Sequence, residues 1–306
     1  MAKILIATEK PFAKVAVDGI KEVAETAGLE IVLLEKYTEK AQLLAAVADV
    51  EAMIIRSDKI DNEVFDAAKN LKIVVRAGAG YDNVDLAAAT AHGVVVMNTP
   101  GQNSNAVAEL VFGMLVFAVR NFYNGKAGTE LKGKKLGILA YGNVGRRVAH
   151  IAKGFDMDVY AYDAYCPAAA IESDGGKAVS SQDELFEKCE VVSLHIPATA
   201  ETRQSINYAL VGKMPKGGVL VNTARKEVIN EPELLKLMQD RTDLKYVTDI
   251  MPEADADFRI LEGRYFSTPK KMGAQTAEAN INAGVAAAHQ IAAFFKDGCT
   301  KYQVNK

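Results

Sequence analysis

Two stretches of this chain hold side chains and turns suited to chemistry. The first, "KLGILAYGNVGRRVA" (135–149), reads as a strand, a glycine turn and a helix. In the dinucleotide pattern G-x-G-x-x-G, small residues permit a tight turn, close approach of backbone N–H groups to a pyrophosphate, and helix–strand packing. Ala140, Gly142 and Gly145 stand at those places, so alanine replaces the first glycine. Alanine fits there provided its φ is negative. The next apolar run, "DVYAYD" (158–163), ends on Asp163, about 20 residues beyond the loop. An acid there accepts hydrogen bonds from both ribose hydroxyls and repels a 2′-phosphate, so loop and acid together point to NAD rather than NADP. Taken alone, such an aspartate also reads as a turn cap. The second stretch, "FSTPKKMGAQTAEA" (266–279), sets Lys270 and Lys271 between a strand-like run and a helix. Lysines at such a junction are commonly solvated. A lysine also serves as an acid/base when burial or a neighbouring cation lowers its pKa.

These residues need a scaffold, and the pattern around them supplies one. Short β-rich runs at 3–8, 30–35, 52–56, 72–78 and 93–98 alternate with helix-like segments at 12–27, 39–48 and 61–69. A second set follows at 135–140, 158–163, 191–196, 218–224, 246–250 and 265–268. Strands apolar along their whole length belong to parallel sheets covered on both faces. Two such sets predict an α/β protein of two doubly wound, Rossmann- or flavodoxin-like domains. Residues 104–123 are apolar almost all round, as in a helix buried at an interdomain or subunit interface. A second helix, about 276–297, returns the chain after the second sheet, so the first domain is read as discontinuous.

Composition narrows the functional classes. The chain has 306 residues, about half of them hydrophobic, and a net charge of −3. That balance offers no basic field for nucleic acid and no polybasic membrane patch. Cys166, Cys189 and Cys299 lack metal-ligand spacing and read as reduced thiols of a cytoplasmic protein, with no metal site expected. The N-terminal apolar run is shorter than a signal peptide needs, and no stretch of about 18 apolar residues marks a membrane span.

Several segments together resemble the D-isomer-specific 2-hydroxyacid dehydrogenase family, and within it most closely the phosphoglycerate dehydrogenases. They are "VVRAGAGYDNVDLAAA" (74–89), "VMNTPGQNSNAVAEL" (96–110), "GTELKGKKLGILAYGNVGRRVA" (128–149), "VVSLHIPATAETR" (191–203), "VLVNTARKEVIN" (219–230) and "TPKKMGAQTAEA" (268–279). The resemblance implies two α/β domains with a cleft between them and a homodimer formed through the cofactor domains. It places a substrate-binding domain at 1–97 with 283–306 and an NAD-binding Rossmann domain at 98–282. It also implies hydride transfer between NAD and C2 of a D-2-hydroxy acid. By the same resemblance Arg225 holds the substrate carboxylate or polarises the C2 oxygen. Ala140, Gly142, Asn143, Val144, Gly145, Asp163, His195, Pro197, Thr223, Ala224 and Asp249 would hold the cofactor. The family carries a histidine acid/base in T-P-H-I-G-A, where this chain reads "TPKKMGA", one residue longer. Counting from Pro269 puts Lys270 at that position; counting back from Gly273 puts Lys271 there. The family's orienting glutamate is displaced too, with Glu253 one position early and Asp255 one late, Glu253 being favoured.

For the substrate, Arg56, Ser57 and Arg76 resemble pocket residues of phosphoglycerate dehydrogenases. The turn Ala77–Gly78–Ala79 resembles the carboxylate-binding turn, and Asn103 faces the pocket. These make 3-phospho-D-glycerate the expected substrate, through charge-assisted bonds from guanidinium to phosphate. The rivals are a hydroxypyruvate or glyoxylate reductase, with no need of Arg56, and a catalytically silent NAD-sensing protein like the C-terminal-binding corepressors. The short tail after the last helix leaves no length for the regulatory domain of longer relatives, so serine feedback by that route is not expected.

Overall fold

The computed structural model describes residues 1–306. The chain divides into two compact units, Met1–Asn103 with Thr276–Lys306, and Ser104–Gln275. The first unit opens with β1 (Lys3–Thr8), α1 (Lys14–Thr26), β2 (Glu30–Glu35), α2 (Lys40–Val47), β3 (Ala52–Ile55), α3 (Asn62–Ala67), β4 (Ile73–Arg76), α4 (Leu86–Ala91) and β5 (Val95–Asn98). All five strands are parallel, in the order β2-β1-β3-β4-β5. This is the flavodoxin-like winding, with helices on both faces. The inner strand β3 is buried at every residue, as its unbroken "AMII" requires. By contrast, the edge strand β2 alternates exposed and half-buried positions.

The second unit begins with α5 (Ser104–Val119) and continues through β6 (Lys135–Leu139), α6 (Asn143–Gly154), β7 (Asp158–Tyr162), α7 (Ala168–Ser173), β8 (Lys177–Ala178), α8 (Gln182–Lys188), β9 (Val191–Leu194), α9 (Tyr208–Val211), β10 (Val219–Asn222), α10 (Glu231–Asp240), β11 (Lys245–Thr248), α11 (Asp255–Arg259) and β12 (Tyr265–Ser267). Its seven parallel strands run β12-β11-β10-β9-β6-β7-β8, the Rossmann order with one more strand at the edge. One hydrophobic core joins α5 and α6 to one face of this sheet, and a second joins α8, α9 and α10 to the other. The last helix, α12 (Ala277–Asp297), belongs to the first unit and packs on α1. It starts at Thr276, whose hydroxyl accepts the Ala279 N–H, and stops at Gly298 in the left-handed conformation.

The helix read as 104–123 ends at Val119. Asn121, Phe122 and Tyr123 take φ of 53°, 54° and 54°, which breaks the right-handed ladder. Lys245 Nζ closes this end by donating to Ala118 O and Asn121 Oδ1, each at 2.7 Å. No helix is long and apolar enough to cross a membrane.

Candidate active site

In an open α/β sheet, ligands collect outside the carboxyl ends of the strands where the winding reverses. In the second unit that point lies between β6 and β9. The glycine loop follows β6, and His195 and Pro197 follow β9. Ala140 has φ +78°, so the condition that suited alanine there, a negative φ, is not met. The turn out of β6 demands the left-handed region, and alanine adopts it at a cost of about 1–2 kcal/mol. Gly145 must be glycine for contact reasons: a Cβ there would lie 2.4 Å from Ala140 O and 3.0 Å from Ile138 Cγ2. At Gly142 the corresponding direction is open, with nothing within 4 Å. Gly142 caps α6 without a side-chain hydrogen bond, and the first turn carries no acid. An open cradle over bare N-terminal N–H groups suits a pyrophosphate. Asn143 stands exposed at the helix start, and Val144 is half-buried against the core.

Asp163 acts as a turn cap. Its Oδ2 accepts the Tyr141 N–H at 2.6 Å, and its Oδ1 accepts those of Tyr165 and Cys166 at 2.7 and 2.8 Å. It therefore ties the glycine loop to the β7 turn. Desolvation pushes its pKa up, but these three N–H groups and the Arg146 charge prevail and hold it below the ordinary carboxylate range. Of about four lone-pair sites on a carboxylate, one remains for a ribose hydroxyl. His195 shares a hydrogen bond of 3.0 Å between Nε2 and Ser193 Oγ, and burial pushes its pKa down to about 3. A neutral imidazole suits a pocket wall rather than a proton donor.

The carboxyl ends of β10 and β11 hold the charged groups. Asn222, fully buried at the end of β10, accepts the Ala224 N–H through Oδ1 at 3.0 Å and donates from Nδ2 to Arg225 O at 2.9 Å. This clamp fixes the turn that carries Arg225. Only the N of "NTAR" hints at it in the sequence. Arg225 Nη1 donates to Ala224 O at 3.0 Å, and Lys271 Nζ donates to the same oxygen at 2.9 Å. The two cations, 46 positions apart in sequence, thus share one acceptor. Lys270 is exposed, and its backbone carbonyl accepts the Thr268 hydroxyl. Glu253 is also exposed and pairs with Lys226 at 2.9 Å, while Asp255 bonds Arg259 and Tyr265.

The carboxylate that meets the lysine segment is Asp249. It is fully buried, and its Oδ2 accepts the N–H groups of Gly273 at 2.6 Å and Met272 at 3.2 Å. Burial raises its pKa, against the pull of those N–H groups and of the Lys271 charge. Its Oδ1 has no partner, and neither does the buried hydroxyl of Thr223. Thr223 and Asp249 follow residues paired across β10 and β11, so the two unpartnered polar atoms lie at one sheet edge. Orphaned buried groups of this kind call for a polar ligand, and a primary carboxamide supplies the donor and acceptor they lack. With the open glycine cradle, they fit a nicotinamide dinucleotide.

The first unit gathers the residues expected to meet substrate. Arg56 follows β3, but its guanidinium is largely engaged: Nη1 donates to the carbonyls of Lys10 and Pro11 at 3.0 Å each, and Nη2 to Asn280 Oδ1 at 2.6 Å. It also lies over the Phe12 ring, 5.2 Å from the centroid. Burial lowers its pKa. Arg76 ends β4 and donates from Nε to Arg56 O at 3.0 Å. Its guanidinium covers Gly78, where φ is +149° and a Cβ would fall 1.5 Å from Nη1. Ala77 N–H donates to Ile55 O, Asn98 Nδ2 to Ala79 O, and Ser57 is exposed beside them. Asn103 closes this part of the unit.

Comparison with known proteins adds an independent line. The family model for the D-isomer specific 2-hydroxyacid dehydrogenase NAD binding domain matches residues 113–265. D-3-phosphoglycerate dehydrogenase of Methanocaldococcus jannaschii is 33% identical across 95% of the chain and 57% of its own length. Hydroxypyruvate reductase of Thermotoga maritima is 34% identical across 86% of the chain and 90% of its own. Among solved structures, NAD+-bound 3-phosphoglycerate dehydrogenase of Entamoeba histolytica has a TM-score of 0.89 at 48% identity. That match covers 100% of this chain and 99% of the other. The chain spans little more than half the length of the M. jannaschii enzyme.

Proposed function

We propose that this chain, which belongs to the D-isomer specific 2-hydroxyacid dehydrogenase family, oxidises the C2 hydroxyl of 3-phospho-D-glycerate with NAD. The observation that carries the reading is the pairing of Arg225 and Lys271 on Ala224 O, at 3.0 and 2.9 Å. Bound NAD supplies the hydride acceptor. Lys271 Nζ, in its neutral form, takes the hydroxyl proton from C2–OH. Lys271 Nζ shares its acceptor with the Arg225 guanidinium. Arg225 stabilises the negative charge that grows on the C2 oxygen as the proton leaves, and its planar fork also suits the C1 carboxylate. Asp249 holds the backbone that carries Lys271 through the Met272 and Gly273 N–H groups. Because an ammonium has no ring to orient, Lys271 does without a strict glutamate partner. In the first unit, Arg76 and the Ala77–Gly78–Ala79 turn bind the anionic ends of the substrate. The assembly is a homodimer through the cofactor unit, in the cytoplasm, serving the first step of serine biosynthesis.

A second reading, reduction of unphosphorylated hydroxypyruvate, draws on the engagement of Arg56 by Lys10, Pro11 and Asn280. NADH consumption with 3-phosphohydroxypyruvate and with hydroxypyruvate separates the two. The proposal expects a kcat/KM at least 100-fold higher for the phosphorylated ketone, and equal or reversed preference would replace it by the second reading.

A further inference from the structure

The first unit has its own reversal of winding, between β1 and β3, and the loops leaving those strands come together there. One buried carboxylate joins them. Asp58, 2% exposed, follows β3 and accepts three hydrogen bonds. Its Oδ1 takes the Glu9 N–H, just after β1, at 2.7 Å and the Tyr37 hydroxyl, just after β2, at 2.9 Å. Its Oδ2 takes the Arg56 N–H at 3.1 Å. Burial and the bond to Asp58 push the Tyr37 pKa up, so the phenol remains the donor. A carboxylate tolerates burial where hydrogen bonds replace its water, and three loops supply them here.

The chain of bonds continues toward the carboxyl end of β4. Arg56 gives its N–H to Asp58, and its carbonyl accepts Arg76 Nε at 3.0 Å and Asn83 Nδ2 at 3.2 Å. Asn83 Nδ2 also donates to Asp58 O at 2.7 Å, which closes the turn from the β4 side. Anchoring Nε sets the plane of a guanidinium fork. That of Arg76 lies across Gly78, the middle of the Ala77–Gly78–Ala79 turn. The Arg56 side chain has a different task, tying the loop after β1 to α12 through Lys10 O, Pro11 O and Asn280 Oδ1.

We propose that Asp58 is a positioning residue for substrate binding: it holds the Arg56 backbone so that the Arg56 carbonyl aims the Arg76 guanidinium at the substrate anion. This rests on Arg76 meeting the substrate, as in the proposed function, and holds for either ketone. The test is steady-state kinetics of D58N, N83A, R76Q and D58N/R76Q at saturating NADH, with 3-phosphohydroxypyruvate and with hydroxypyruvate. Asparagine offers one acceptor oxygen instead of two, so D58N cannot serve Glu9, Tyr37 and Arg56 together. KM for the ketone that the parent prefers should rise about 5-fold or more in D58N and in N83A, with kcat and NADH affinity within about 2-fold. In the R76Q background, D58N should change KM by less than about 2-fold, because the group it aims is gone. Asn83 is half-buried, so N83A carries the test if D58N fails to fold. Unchanged KM in N83A or in folded D58N would overturn the proposal, as would an effect of D58N that adds in full to that of R76Q. Unchanged KM in R76Q would overturn it through its premise. The preference between the two ketones is read from the parent alone, so failure of the phosphoglycerate reading shows separately.

Discussion

Replacing Ala140 by glycine should stabilise the NAD-binding unit. At φ +78° an alanine carries about 1–2 kcal/mol of steric cost that glycine escapes. Against this, glycine has more freedom in the unfolded chain, worth about 0.4–1 kcal/mol. The net expectation is a gain of roughly 0.5–1 kcal/mol. At an ordinary negative φ the same substitution would instead cost about 0.5–1 kcal/mol. The two geometries predict opposite signs, so the experiment does not hinge on a fine magnitude. Urea unfolding of the whole chain, followed by far-UV circular dichroism, reads the shift in midpoint. Thermal unfolding should move upward by about 2–4 °C per kcal/mol in a unit of this size. The backbone of the loop is unchanged by the substitution, so NADH affinity should stay within about 3-fold, or roughly 0.6 kcal/mol. A lowered midpoint for A140G would refute the left-handed turn and the reasoning built on it.

Two further perturbations probe the neighbouring groups. G78A puts a Cβ 1.5 Å from Arg76 Nη1 and must displace that guanidinium. KM for 3-phosphohydroxypyruvate should rise at least 10-fold with little change in NADH affinity, and an unchanged KM would detach Arg76 from the substrate. D249N tests the buried carboxylate through pH. A carboxyl whose folded pKa lies above its unfolded value costs stability above that folded pKa, and the cost fades as pH falls toward the unfolded one. D249N should therefore be the more stable protein at neutral pH, converge with the parent in acid, and turn over more slowly. Parallel stability curves for the two proteins across pH 3–8, roughly the range in which a raised carboxyl titrates, would contradict this.

Much of the scaffold is legible in the chain because parallel strands buried on both faces must be apolar throughout. "KILIAT", "EIVLLE" and "KLGILA" fall within one residue of β1, β2 and β6. The two-residue β8 is too short and too exposed to leave a pattern. Nothing in "RNFYNG" announces the three left-handed residues that end α5 before position 123. In the site, the glycine loop and Asp163 are local features and could be read locally. The sharing of Ala224 O by Arg225 and Lys271 could not, since it joins segments 46 residues apart. The extra residue in "TPKKMGA" lets either lysine align with the histidine position, and the sequence does not order them. The same limit applies to Glu253, whose proximity in sequence to the family position did not reveal its pairing with Lys226.

The central claim is that Lys271 is the acid/base. Its most direct test compares K271M and K270M in NADH-dependent reduction of 3-phosphohydroxypyruvate, with NADH affinity measured alongside. Loss of a positioned general acid/base costs about 10²–10⁴ in rate. The account predicts a fall of that size in kcat for K271M, with NADH still bound, and a change of no more than a few-fold for K270M. Normal turnover by K271M, or the larger loss in K270M, would contradict it.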